Sequence, residues 1–142
     1  MIIPDVNLLL YGAIDAFPQH EKARRWWEQA VNSDEIIGLA DLAAFGFLRI
    51  GTNPRLIKPP LTIDDATAHV EEWLAQPNIT RVLPGPKHLS LTFGFLRAAG
   101  TASNLTTDAQ LAAIAIENDA AIYSSDSDFA RFKGVEWVNP LA

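Results

Sequence analysis

The sequence predicts an α/β fold with a short, mainly parallel central sheet covered by helices on both faces. Short apolar runs of strand length alternate along the chain with longer segments of helical spacing. Hydrophobic residues are 49% and charged residues 20% of 142, the composition of a globular chain with a core of its own. The one long coil, Asn53–Leu61, holds Pro54, Pro59 and Pro60 and reads as a surface loop, so residues 1–142 form one domain.

Met1–Pro4 is a short apolar run that ends at an acid, the pattern of a buried first strand. Asn7–Ile14 follows as a helix with a nearly continuous apolar face. His20–Ser33 is a second helix, with Ala23, Trp26, Trp27, Ala30 and Val31 at intervals of three and four. Adjacent side chains on a helix point about 100° apart, so Trp26 and Trp27 cannot both be fully buried: either they are core residues with partial exposure, or one is core and the other lines a groove for a partner helix. Glu35–Leu39 is a strand, and Asp41–Ile50 a helix that stops near Gly51, Asn53 and Pro54. Thr62–Ala75 is a helix with a capping-box start, and Thr80–Leu83 a strand. Pro86–Ala99 is a helix ending at Gly100. Thr107–Asn118 is another, with Thr107 as its cap. Ala121–Ser124 is a strand, Ser127–Phe132 a helical turn, and Glu136–Val138 the last strand. The pentapeptide FGFLR occurs at Phe45–Arg49 and at Phe93–Arg97 with unrelated flanks, and reads as coincidence rather than duplication. Each copy sets a glycine inside a helix, and Gly46 and Gly94 are expected to admit a neighbouring element closely.

Several classes are excluded. The chain has no cysteine, so disulfide scaffolds, thiolate zinc sites and cysteine nucleophiles are ruled out. No apolar run is long enough to span a bilayer. The first residues carry no basic region ahead of an apolar one, so no signal peptide is expected and the location is expected to be cytoplasmic. His20, His69 and His88 lack metal-ligand spacing. A net charge of −6 argues against indiscriminate nucleic-acid binding. Leu42–Ile63 nonetheless carries Arg49, Arg55 and Lys58 with no acid, so a basic face is compatible with an acidic whole. Arg49 and Arg55 are the preferred contacts for a phosphate backbone; an ordinary solvated face is the alternative.

The placement of aspartates points to chemistry. In an open parallel sheet, sites form beyond the carboxyl ends of the strands. Asp5 ends the first strand, Asp126 and Asp128 follow the AIYSS strand, and Asp108 opens a helix. Singly, each reads as well as a cap or turn residue. Jointly, they offer carboxylates from three distant segments, whose repulsion a cation relieves. Hard oxygen ligands without cysteine suit Mg²⁺ or Mn²⁺, which bind a phosphodiester and activate a water for its hydrolysis.

Pro4-Asp5-Val6-Asn7-Leu8-Leu9-Leu10-Tyr11 resembles the opening motif of PIN-domain nucleases, in particular VapC-type toxins. Thr107-Asp108-Ala109-Gln110-Leu111-Ala112-Ala113 is similar to their third acidic motif, and Tyr123-Ser124-Ser125-Asp126-Ser127-Asp128-Phe129 to their closing one. Order, spacing and length agree over essentially the whole chain. The resemblance implies a PIN-like three-layer α/β/α fold and a Mg²⁺- or Mn²⁺-dependent endoribonuclease acting as a toxin. It implies a homodimer held inactive by a cognate VapB-type antitoxin. Asp5, Asp108 and Asp126 carry over as catalytic metal ligands, Asp128 as the neighbour behind Asp126 or a further ligand, and Ser124 as the motif's hydroxyl. Asn7 joins these as a further residue at or behind the site.

One position departs. The family places a glutamate on the third helix before Phe/Leu-Leu-Arg, where this chain has Gly46. Asp41 follows a strand directly but lies five residues upstream, about 140° away in azimuth, so it is either a further site residue or a helix cap. The departure leaves open one metal ion, two, or a ligand supplied by RNA. It also keeps a catalytically impaired PIN-like domain, acting by binding RNA or protein, as the alternative. A receiver-like phospho-acceptor domain is disfavoured, since Asp5 stands alone after its strand and Lys133 lies beyond Phe129-Ala-Arg-Phe132.

Overall fold

The computed structural model describes residues 1–142. Five strands, β1 (Ile2–Pro4), β2 (Ile37–Ala40), β3 (Ile79–Val82), β4 (Ala121–Tyr123) and β5 (Trp137–Val138), form one sheet in the order β3-β2-β1-β4-β5. Every neighbouring pair is parallel. Parallel pairing requires crossovers, and six helices supply them: α1 (Val6–Ala13), α2 (His20–Val31), α3 (Asp41–Gly51), α4 (Ile63–Leu74), α5 (His88–Ala99) and α6 (Thr106–Glu117). Winding runs outward from β1 to β3 on one side, then returns to β4 and runs outward to β5 on the other. The direction therefore reverses between β1 and β4, where the crevice of a doubly wound sheet forms.

Two apolar clusters cover the two faces of the sheet. One joins Ile3 and Ile122 of the sheet to Ala109, Leu111, Ala112 and Ile114 of α6, with Phe95 and Leu96 of α5 packed outside. The other joins Ile37 and Leu39 to Leu9 and Leu10 of α1, Phe47 of α3 and Trp73 of α4. Strands β1 and β2 are buried at every position, as continuous apolar runs in a covered parallel sheet should be. On the edge strand β3 only Ile79 and Val82 are buried, and Thr80 and Arg81 face solvent. No helix is long and apolar enough to cross a membrane.

Most boundaries lie within two residues of those expected, and two expectations are corrected. Thr107 is not a cap. The segment Ser103–Leu105 forms a 3-10 turn, α6 begins at Thr106, and the Thr106 hydroxyl donates to Ser103 O at 2.9 Å. Thr62 does cap α4, accepting from Asp65 N at 3.1 Å. The two helical glycines also part company. A Cβ on Gly46 would lie 3.1 Å from Val6 Cγ2, so the lack of a side chain lets α3 lie against the start of α1. A Cβ on Gly94 would meet nothing within 4 Å, so close packing does not explain Gly94.

Trp26 and Trp27 are each half-buried. Trp26 stacks on Tyr123 with ring centroids 5.7 Å apart. Trp27 meets Trp73 edge-on and lines a cleft of 290 Å³ between α1, α2 and α4. Both are therefore core residues with partial exposure, and Trp27 also lines the cleft.

Because Gly94 is exposed within a helix and has open space at its Cβ position, Gly94→Ala gains helix propensity without a clash. The substitution should stabilise the protein by about 0.5–1 kcal/mol, read as a rise of roughly 2–4 °C in Tm.

Candidate metal centre

Each candidate carboxylate is placed by an element terminus. Asp5 follows β1 and caps α1, its Oδ1 accepting from Val6 N at 2.8 Å. Its backbone N–H donates to Tyr123 O at 2.9 Å, which extends the β1–β4 pairing to the rim of the crevice. Asp126 caps the 3-10 turn Ser127–Arg131, its Oδ1 accepting from Asp128 N at 2.9 Å. Asp108 stands in the first turn of α6, where the positive end of the helix dipole favours an anion. For Asp5 and Asp126 the capping and site readings hold together, since one oxygen of each accepts from the backbone; Asp108 accepts no capping bond.

Asp108, Asp126 and Asp128 each offer an oxygen within 4.8 Å of the others. Asp5 lies beside this trio, close enough that its charge is a leading influence on Asp108. Segments from β1, α6 and the end of β4 therefore converge. Asp128 stands among the clustered carboxylates. Its position in the Ser-x-Asp-x-Asp pattern was the available signal, and the bond from Asp128 N to Asp126 Oδ1 draws the two residues together.

Ser124 ties the group together. It is fully buried and its hydroxyl is saturated. It donates to Asp5 Oδ2 at 2.8 Å and accepts from Asn7 Nδ2 at 3.2 Å and from Asp126 N at 2.9 Å. Its single proton is committed to Asp5, so Ser124 orients the carboxylate and is not a nucleophile. Asn7 in turn leaves its Oδ1 buried with no donor. An acceptor orphaned beside four carboxylates is an arrangement a cation completes.

The electrostatics agree. Burial is the main cause that raises the Asp108 carboxyl to about 7, with the charges of Asp5, Asp126 and Asp128 adding to it. Asp5 is raised chiefly by burial as well, and Asp126 adds to the rise; the bonds from Ser124 and Val6 N oppose it. The donor set is all hard oxygen, so the residues fit a small divalent ion.

Asp41 and the arginines are placed differently. Asp41 begins α3 and holds Arg81 of β3 through two hydrogen bonds, Nε to Oδ1 at 2.7 Å and Nη2 to Oδ2. Arg81 keeps the Asp41 carboxyl below its usual range, and Asp41 is outside the clustered trio. Gly46, at the family's glutamate position, is buried against Val6 and offers no ligand. Arg49 lines a groove of 710 Å³ beside the cluster, together with Asp41, Gly46 and Thr107. Arg55 is exposed on the loop after α3 and does not line that groove.

Two outcomes follow from these contacts. Ser124→Ala leaves buried partners on Asp5, Asn7 and Asp126 unmatched and should cost about 2–3 kcal/mol in chemical denaturation. Asp108 holds its proton more tightly folded than unfolded, so its contribution to stability is fully present below about pH 4 and is lost as pH rises through about 7. Without added divalent metal, Tm of the natural sequence should therefore fall over that range more steeply than Tm of Asp108→Asn.

The geometry has counterparts among known proteins. The PIN domain family model matches residues 2–135. Ribonuclease VapC33 of Mycobacterium tuberculosis is 55% identical over 141 residues, covering 99% of each chain. Ribonuclease VapC37 of the same organism is 38% identical over 142 residues, covering 100% of this chain and 99% of its own. Among solved structures, VapBC2 of Rickettsia felis, bound to a DNA fragment from its promoter, superposes with a TM-score of 0.72 at 13% identity, covering 98% of both chains. A five-stranded parallel sheet with carboxylates gathered at its switch point, together with near-complete alignment to two VapC relatives, shows that this chain belongs to the PIN domain family, in its VapC branch.

Proposed function

We propose that this chain is the toxin of a toxin–antitoxin module, a cytoplasmic endoribonuclease dependent on Mg²⁺ or Mn²⁺. The observation that carries the proposal is the convergence of Asp5, Asp108, Asp126 and Asp128 beyond the ends of β1 and β4, where burial first and then the charges of the other three raise Asp108 to about 7. Such crowding is unfavourable unless a cation is held there.

Asp108, Asp126 and Asp128 would hold the ion, with Asp5 and Asn7 Oδ1 adjoining. A divalent ion supplies an activated water and stabilises the charge that develops on the scissile phosphate. The chain's own contribution is positioning. Ser124 and Val6 N fix both oxygens of Asp5, and Asp128 N fixes Asp126. No serine or cysteine is available as a nucleophile here: Ser124 is saturated and the chain has no cysteine. Arg49 forms none of the ion pairs in the protein and stands free for a phosphate. Arg55 is a more distant contact for the same backbone. Unpaired RNA is the fitting substrate, since its bases are open to side chains.

The partner of such a toxin would be a VapB-type antitoxin. The apolar cleft between α1, α2 and α4, walled by Leu8, Leu9, Trp27 and Trp73, suits a helix laid into a groove. A homodimer is the proposed assembly, and the exposed pair Leu89 and Phe93, one turn apart on α5, supports an apolar contact between copies. The binding-only alternative rests on Gly46 and leaves the gathered carboxylates without a role.

Purified protein should cleave single-stranded RNA with Mn²⁺ or Mg²⁺ and stop when EDTA is added. Asp108→Asn should lower the rate by about three orders of magnitude while keeping the fold, since the Asp108 side chain makes no capping bond and Asn has nearly the same shape. Induced expression of the natural sequence should arrest growth, and expression of Asp5→Asn should not. Arrest by both would overturn the reading.

A further inference from the structure

The groove between α3 and α6 has features that holding a metal does not require. Phe45 is 66% exposed on its wall, and Ile63 at the start of α4 is 60% exposed on another. Phe45 and Arg49 are one helical turn apart, so the ring and the guanidinium share one face of α3. Thr107 and Gln110 line the opposite wall, and Asp108 of the acidic cluster lies between them in sequence on the same turn of α6. The volume, 710 Å³, falls in the roughly 300–1,000 Å³ range of ligand clefts. Gly46 also lines the groove and adds no side chain to it; the Asp41 carboxylate on the same wall is engaged by Arg81.

We propose that this groove is a subsite for one unpaired nucleobase of the RNA, next to the scissile phosphate, with the base stacked on Phe45. Gln110 presents an amide, one donor and one acceptor side, to the edge of the base, and Arg49 takes the flanking phosphate. Occupation by a protein helix fits less well. A helix partner wants a continuous apolar stripe, whereas here four hydrophobic side chains, Leu42, Phe45, Leu48 and Ile63, share the walls with polar ones that include Arg49, Thr107 and Gln110. A base needs one flat ring, a cation and a hydrogen-bonding edge, and the groove supplies each, with Thr107 on its wall adjoining Asp108 in sequence. The assignment also gives Gly46 a role: the family's glutamate at this place would set a carboxylate over the floor.

The subsite rests on the ribonuclease reading, so the test reads binding and cleavage separately. Short fluorescein-labelled single-stranded RNAs, each with one abasic position, are titrated by anisotropy against the Asp108→Asn protein, with and without Phe45→Ala or Phe45→Trp. Cleavage of the intact RNA is followed with the natural sequence and Mn²⁺. The expected result is a roughly 5–100-fold loss of affinity for Phe45→Ala, the worth of one base stacked on an aromatic ring, and near-full retention for Phe45→Trp. One abasic position should cause a matching loss in the parent protein and no further loss in Phe45→Ala. Ile36→Ala, which removes an exposed apolar side chain just before β2 and outside this groove, should leave affinity unchanged. RNA binding that ignores Phe45, an equal loss for Ile36→Ala, or conversion of a dimer to monomers by Phe45→Ala on size-exclusion chromatography overturns the subsite. Cleavage that persists in those cases leaves the nuclease reading standing. Phe45-dependent binding without cleavage by the natural sequence keeps the subsite and removes the nuclease reading.

Discussion

The hydroxyl of Ser124 is the point through which the site is joined. It stands at the end of β4, opposite Asp5 at the end of β1, and its proton bridges the two strands at the place where the winding of the sheet reverses. The same oxygen accepts from Asn7 on α1 and from the backbone of Asp126, so three elements meet on one atom. Charge repulsion pushes these elements apart; the hydroxyl, the cap on Val6 N and the cap on Asp128 N hold them. A buried polar network of this kind has one satisfied arrangement, which is why it specifies geometry as well as stability.

The sheet explains why that network sits where it does. In a parallel sheet every strand ends on the same edge and every crossover helix starts from it. At the reversal between β1 and β4 the following helices leave to opposite faces, α1 to one and the chain after β4 to the other, so a crevice is left between them. Helix starts bring unsatisfied N–H groups to that crevice. Aspartates there meet the backbone's demand for acceptors and collect in one place as a result. The three-layer architecture thus produces an anion-rich pocket that a divalent ion neutralises.

Much of this was legible in the residues. Apolar runs of three to five residues between helical segments announced a covered parallel sheet, and strand-end aspartates marked its active edge. What periodicity could not give was the finer geometry. The 3-10 turn at Ser103–Leu105 moved the start of α6 ahead of Thr107, because a turn of that type carries no apolar period of its own. Gly46 and Gly94 sit in identical pentapeptides, yet one faces Val6 and the other open space; only the neighbouring helix decides which. Asp41 could have been ligand or cap from its position alone. Arg81, forty residues on and adjacent only through β2–β3 pairing, engages it instead. The inclusion of Asp128 in the cluster depended on the tightness of a turn that spacing does not report.

The double use of Asp5 and Asp126 as caps and as pocket residues has an entropic consequence. A carboxylate on a free loop must surrender its rotamer freedom each time a ligand arrives. Here the local backbone already restrains both side chains when the chain folds, so that ordering is complete beforehand. The pocket is therefore preorganised by secondary structure itself.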